Sequence, residues 1–308
     1  MGLHRLNRIG EHSVTTAETF PTLSGPVTPH RSWRHRLAWL PILLSGVAAY
    51  LLVLRTLVTT ENLNFFPTLV LLGAITVPMT VLVFAWGSGP NVHASPGLVV
   101  FTALAGGIIG TVTAGTLEYD TLHRLGALPM LGVGLIEETA KLIVPVALLV
   151  FLPSRSRQSG VIIGIASGMG FATLETMGYG FNALLSQKSL AAVDQTLLLR
   201  ALLSPAGHVA WTGLTVAALW RIPTAQRKGR AVLLVVAAFV LAVVLHACWD
   251  GIDSVVVHVI IGIVSLTLLL VLIARSGPRR SPKKSDDNRS KPPTASLADR
   301  GVVDPGAT

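Results

Sequence analysis

The chain has 308 residues, 51% of them hydrophobic and 13% charged, with mean hydropathy +0.64 and a formal net charge of +9. A soluble domain carries roughly a quarter of its residues charged, which excludes that class. The basic excess is what cytoplasmic loops and anionic lipid headgroups require, so it calls for no nucleic-acid partner.

About eight apolar runs reach the ~20 residues that a helix rising ~1.5 Å per residue needs to cross ~30 Å of hydrocarbon. In chain order they are 37–57, 66–86, 97–117, 127–152, 160–185, 198–220, 231–249 and 254–274. Backbone groups in lipid need partners within their own segment, and none of these runs alternates apolar and polar as barrel strands do. The expected fold class is therefore all-α, a polytopic integral membrane helix bundle over residues 37–275. Residues 1–36 and 276–308, rich in Pro, Ser, Thr, Gly and charge, read as disordered tails. The first apolar run starts only at Leu37 and is long enough to stay in the membrane, so no removable signal peptide is visible. Cys248, the lone cysteine, excludes an intramolecular disulfide and argues against a cysteine metal site.

Basic residues near span ends set the orientation. Arg31, Arg34 and Arg36 precede the first span, Arg155 and Arg157 follow the fourth, and Arg221, Arg227, Lys228 and Arg230 follow the sixth. Arg275, Arg279, Arg280, Lys283 and Lys284 follow the last. With eight spans these groups share one side, which makes both termini cytoplasmic in a multi-pass protein of the cell membrane. The opposite loops take most of the acids: Glu61, Glu118, Asp120, Asp194, Asp250 and Asp253, with Arg55, Arg124, Lys188 and Arg200.

A charged side chain at the bilayer centre costs ~2.5–3.5 kcal/mol on the insertion scale, so ionisable groups inside spans invite a functional reading. They cluster in the fourth to seventh spans: Glu137, Glu138 and Lys141; Glu175; His208; and His246 with Asp250. Residues three or four apart share a helix face. Lys141 can therefore reach either Glu137 or Glu138, and Thr212 and Asp250 are oxygen partners one turn from His208 and His246. Alternating span directions bring all these groups to similar depths, from the midplane outward, in reach of one outward-facing pocket.

Taken singly, each has a structural reading. Glu137 or Glu138 with Lys141 can be a register-setting ion pair, Glu175 a neutral acid bonded to a neighbouring helix, and His246 with Asp250 an interfacial pair. His258 has no motif around it and reads as a packing residue. Gly160, Gly164 and Gly168, and the patch Gly106, Gly107 and Gly110, are spaced for close helix approach. Trp39, Trp86 and Trp220 fall at span ends as interfacial anchors, whereas Trp211 and Trp249 each neighbour a candidate histidine.

Together the ordered motifs resemble the PrsW-type intramembrane proteases, whose wider superfamily includes the CAAX prenyl endopeptidases. They are Glu-Glu-x-x-Lys at Glu137, Glu138 and Lys141, Phe-Ala-x-x-Glu at Phe171, Ala172 and Glu175, His-x-x-x-Thr at His208 and Thr212, and His-x-x-Trp-Asp at His246, Trp249 and Asp250. The resemblance covers roughly residues 125–255. It implies hydrolysis of a peptide bond in a membrane-tethered protein near the extracytoplasmic side, an anti-sigma factor in the best-known relatives. One departure is Thr176, where the family often has asparagine, so an oxyanion role for that residue does not carry over.

Two mechanisms fit the same residues. In one, Glu137 or Glu138 is the general base on a water that Glu175, His208 and His246 orient, with no metal needed. In the other, Glu138, Glu175, His208 and His246 bind a divalent metal such as zinc. The absence of a HExxH pair favours the glutamate version. Lys141, Thr212, Trp249 and Asp250 are supporting residues in both. A proton-coupled transporter is an alternative, but it predicts an internal repeat and none is visible. A non-catalytic membrane scaffold is another, and it predicts that these residues are replaceable. Oligomeric state and substrate identity have no signature in the sequence.

Overall fold

The computed structural model describes residues 37–88, 94–152 and 157–276, and both expected tails lie outside the described residues except Ser276. Among the described residues the structure is helical, without strands. The helices are α1 (Trp39–Thr60), α2 (Phe66–Ser88), α3 (Pro96–Leu125), α4 (Met130–Phe151), α5 (Arg157–Gln187), α6 (Leu190–Leu203), α7 (His208–Leu219), α8 (Lys228–Gly251) and α9 (Val255–Arg275). Seven segments among the described residues are long and apolar enough to cross a membrane, with α6 and α7 counted as one. Helix α4, at 22 residues, has the length of a span and is set apart only by Glu137, Glu138 and Lys141.

Local signals explain the boundaries. Ser95 Oγ accepts from the Leu98 N–H, Pro96 opens α3, and Gly126 closes it in the left-handed region at φ 68°. Ser189 caps α6 in the same way through the Ala192 N–H. The sixth expected span is corrected: it begins at Leu190 and is broken by a 3₁₀ turn, Ser204–Ala206, before α7 restarts at His208. Pro205 has no N–H to continue the ladder, and Gly207 leaves the helical region at φ −124°, ψ −119°. Such irregular backbone persists in a membrane where protein covers it, and Ser204, Pro205 and Ala206 are buried.

Helix α5 is the axis of the bundle. Gly160, Gly164 and Gly168 bring it against α7, where an added methyl group would strike Trp220, Val216 and the His208 carbonyl respectively. Across its other side Gly106 and Gly107 let α3 approach Ser167 and Gly170. Both glycine patches therefore serve packing, as their spacing predicts. Ser167 Oγ also donates to the Lys141 carbonyl at 2.9 Å, which fixes α4 against α5. Trp220 is corrected: it is fully buried over Gly160 rather than anchored at an interface, because the glycine leaves a slot the indole fills. Outer helices present Leu, Val and Ile outward, with only Leu57 of α1 buried, as lipid-facing surfaces require.

Candidate active site

The site grows from Lys141, whose side chain is completely buried in α4. An ammonium has three donors and no lone pair. Here the three find Glu138 Oε1 at 2.7 Å, Glu137 Oε2 at 3.2 Å and His208 Nδ1 at 2.7 Å, and the Phe171 ring lies 4.2 Å away on a fourth side. Because the ammonium can only donate, His208 Nδ1 accepts, and its proton sits on Nε2, which lies at ion-pair distance, 2.8 Å, from Glu175 Oε2. Lys141 thus fixes the histidine tautomer while holding both carboxylates.

His246 enters from α8. Its Nδ1 lies 3.0 Å from Glu138 Oε1, and its Nε2 lies 3.0 Å from Asp250 Oδ2 and 3.4 Å from Glu137 Oε2. Gly134 of α4 permits this approach, since a side chain there would press on the Val243 carbonyl and His246. Trp211 packs on both imidazoles, with ring centroids 5.6 Å from His208 and 5.1 Å from His246. Glu137, Glu138, Lys141, Glu175, His208 and His246 therefore meet in one cluster, although four helices supply them.

The two adjacent glutamates differ. Glu138 is 2% exposed and tied to Lys141 and His246. Glu137 lines a cavity of about 310 Å³ between α3, α4 and α5, together with Glu175, Phe171 and Glu118. Tyr179 and Asn182 at the rim are exposed, so the cavity reaches the surface of the bundle. It lies toward the end of the bundle shared by the α3–α4 and α5–α6 connections.

The predicted supporting partners divide. Asp250 bonds His246 as its spacing implies, whereas Thr212 Oγ1 has no hydrogen-bond partner, because both His208 nitrogens are already engaged by Lys141 and Glu175. Trp249 offers its carbonyl to His258 Nε2 at 2.7 Å, which fits the packing reading of His258. Thr176 is buried beside the cluster.

Two residues assigned to outer loops belong to the site. Helix α3 runs on to Leu125, which puts Glu118 in the cavity with one carboxylate oxygen buried and unpartnered. Helix α6 carries Arg200, whose guanidinium forms an ion pair with Glu175 Oε2 at 2.8 Å and stacks 3.7 Å from the Tyr179 ring centroid. Asp194 likewise sits on α6, accepting from Tyr50 at 2.7 Å.

For a metal, the compact donor set is Glu137, His208 and His246, with one ligand atom from each within 4.8 Å of the others. One carboxylate and two imidazoles are the number and type of protein donors found in catalytic zinc sites, so these residues fit such an ion. Glu138 and Glu175, also expected as ligands, stand around this trio, bonded to Lys141, His246, His208 and Arg200.

A polytopic helical bundle with a buried carboxylate and histidine centre beside an open cavity defines a class of intramembrane enzyme. The sequence profile of the PrsW family intramembrane metalloproteases matches residues 68–275, well over half of the chain. The chain belongs to that family, and peptidase activity in the membrane follows as its class of function. No curated protein and no solved structure matches it.

Proposed function

We propose that the protein hydrolyses a peptide bond in a membrane-tethered protein at the Glu137 cavity, with Glu137 as general base. The observation that carries this is the unequal setting of the two glutamates: Glu137 faces the cavity, while Glu138 is enclosed and bonded on both sides. A water bound to Glu137 gives up a proton as its oxygen adds to the peptide carbon. The same proton then passes to the departing amine as the C–N bond breaks. Glu138 and Lys141 are positioning residues that hold His246 and His208, and Glu175 fixes His208 from the cavity side.

The basic loops support an orientation with both termini cytoplasmic, which turns the end of the bundle nearest the cavity outward. Cleavage then falls on the extracytoplasmic part of the substrate. An anti-sigma factor is the substrate class the family resemblance suggests.

The trio Glu137, His208 and His246 favours a second reading in which it holds a divalent ion. When bound, such an ion supplies Lewis-acid polarisation and a more acidic water. Lys141 already donates to one oxygen of Glu137 and to Nδ1 of His208, so an ion would share two of its three residues with the ammonium.

The test is cleavage of reconstituted single-span peptides by wild type, Glu137→Gln and Glu138→Gln. Loss in Glu137→Gln is expected, and unchanged cleavage by folded protein overturns the assignment. Activity retained in a sample verified as metal-free by elemental analysis removes the metal reading. A reporter fused after Asp194 should read extracytoplasmic.

A further inference from the structure

The break between α6 and α7 is more than an interruption of a span. Helix α7 starts at His208 without a side-chain cap from Gly207, so its first N–H groups lack intrahelical acceptors. Beside that start is a cavity of about 80 Å³, distinct from the carboxylate cavity and bordered by Thr176, Arg200, Ser204, His208, Trp211 and Trp249. Ser204 is 6% exposed, yet its hydroxyl has no hydrogen-bond partner, and Arg200 Nε is equally buried and unpartnered. A buried hydroxyl without a partner is costly, and two such donors with a free helix start on one small void point to an acceptor that completes them.

Charge selects the acceptor. Arg200 is already neutralised by Glu175 at 2.8 Å, so the void offers donors with little net charge. That suits a neutral carbonyl oxygen more than a carboxylate or phosphate, and about 80 Å³ suits a small group better than a large side chain. Glu175 lines the carboxylate cavity while its partners Arg200 and His208 line this one, so the two voids flank one carboxylate.

We infer that the Ser204 void is a main-chain subsite, in which Ser204, Arg200 and the α7 start bind a backbone carbonyl of the substrate next to the cleaved bond. The inference rests on the protease reading. Recognition through main chain rather than side chain leaves the subsite tolerant of substrate sequence. It also gives the broken helix a role in placing an extended strand beside Glu175.

The test uses full-length protein in vesicles of phosphatidylethanolamine and phosphatidylglycerol with a set of single-span peptides bearing extracytoplasmic extensions. For a peptide that wild type cuts, Ser204→Ala should raise KM about 3- to 10-fold with kcat within about twofold, the effect of one lost neutral hydrogen bond made equally in ground and transition states. Ser204→Cys, close in size but a weak donor, should behave likewise, and Ser204→Thr should keep the wild-type KM. Affinity for the same peptide, measured on the Glu137→Gln background, should weaken by the same factor. Wild-type KM and affinity in both Ser204→Ala and Ser204→Cys overturn the subsite while cleavage by wild type keeps the protease reading. Peptide binding that depends on Ser204 in a protein that cuts none of the set sinks the protease reading and keeps the subsite. Neither binding nor cutting sinks both.

Discussion

Helices α3 and α5 meet in two ways along one interface. At one end Gly106, Gly107 and Gly170 bring the two helices into close contact, and a methyl group added at Gly170 would overlap the Ala103 carbonyl oxygen. At the other end Gly115 and Gly178 have nothing within 4 Å of an added methyl group, and the helices part around the cavity lined by Glu118, Glu137 and Glu175. The same residue type closes the interface in one place and borders an opening in the other. What differs is where the packing partners stand: Phe171 fills the seam at Gly110, whereas nothing comes within reach of Gly115 and Gly178. A tightly seated end thus holds the helices while the loose end keeps the carboxylates reachable.

Breaking the open end at its chemistry has the largest expected effect. Glu137→Gln should lower cleavage about 100- to 10,000-fold, the range for a general base, in protein that still melts cooperatively in detergent. Next comes the closed end, where Gly170→Ala forces backbone apart and should cost about 1–3 kcal/mol, read as an earlier thermal transition. Gly178→Phe fills the opening rather than the seam. Stability should stay within about 0.5 kcal/mol while cleavage falls several-fold, and an equal loss of stability would show that the open end also packs. Smallest is Gly115→Ala, which meets nothing and should change stability by less than about 0.5 kcal/mol with cleavage preserved.

The candidate site was legible in outline because an ionisable residue inside an apolar run is conspicuous. Glu137, Glu138, Lys141, Glu175, His208 and His246 all stood out for that reason, and all converge. Glu118 and Arg200 did not, because each lies near a span end where a charge is cheap and reads as loop. Their helices extend past the apolar run: α3 spans 30 residues, about 45 Å at 1.5 Å per residue, against ~30 Å of hydrocarbon. Trp220 misled by the same logic in reverse, since a terminal indole looks interfacial until a glycine on a neighbouring helix provides a slot.

Taken alone, the amino-acid sequence determined the helical class, the apolar runs, the loop charge that argues for orientation, and the motifs of the family. Those features are local: hydropathy over a span, basic residues beside it, and spacings within one turn. Only the tertiary structure decided which of two adjacent glutamates meets the cavity, that Lys141 joins both of them to His208, and that Glu175 pairs with Arg200 as well as His208. Glu137 and Glu138 are neighbours in sequence but point about 100° apart around a helix of 3.6 residues per turn, so the packing of α3, α5 and α8 around α4 separates their environments.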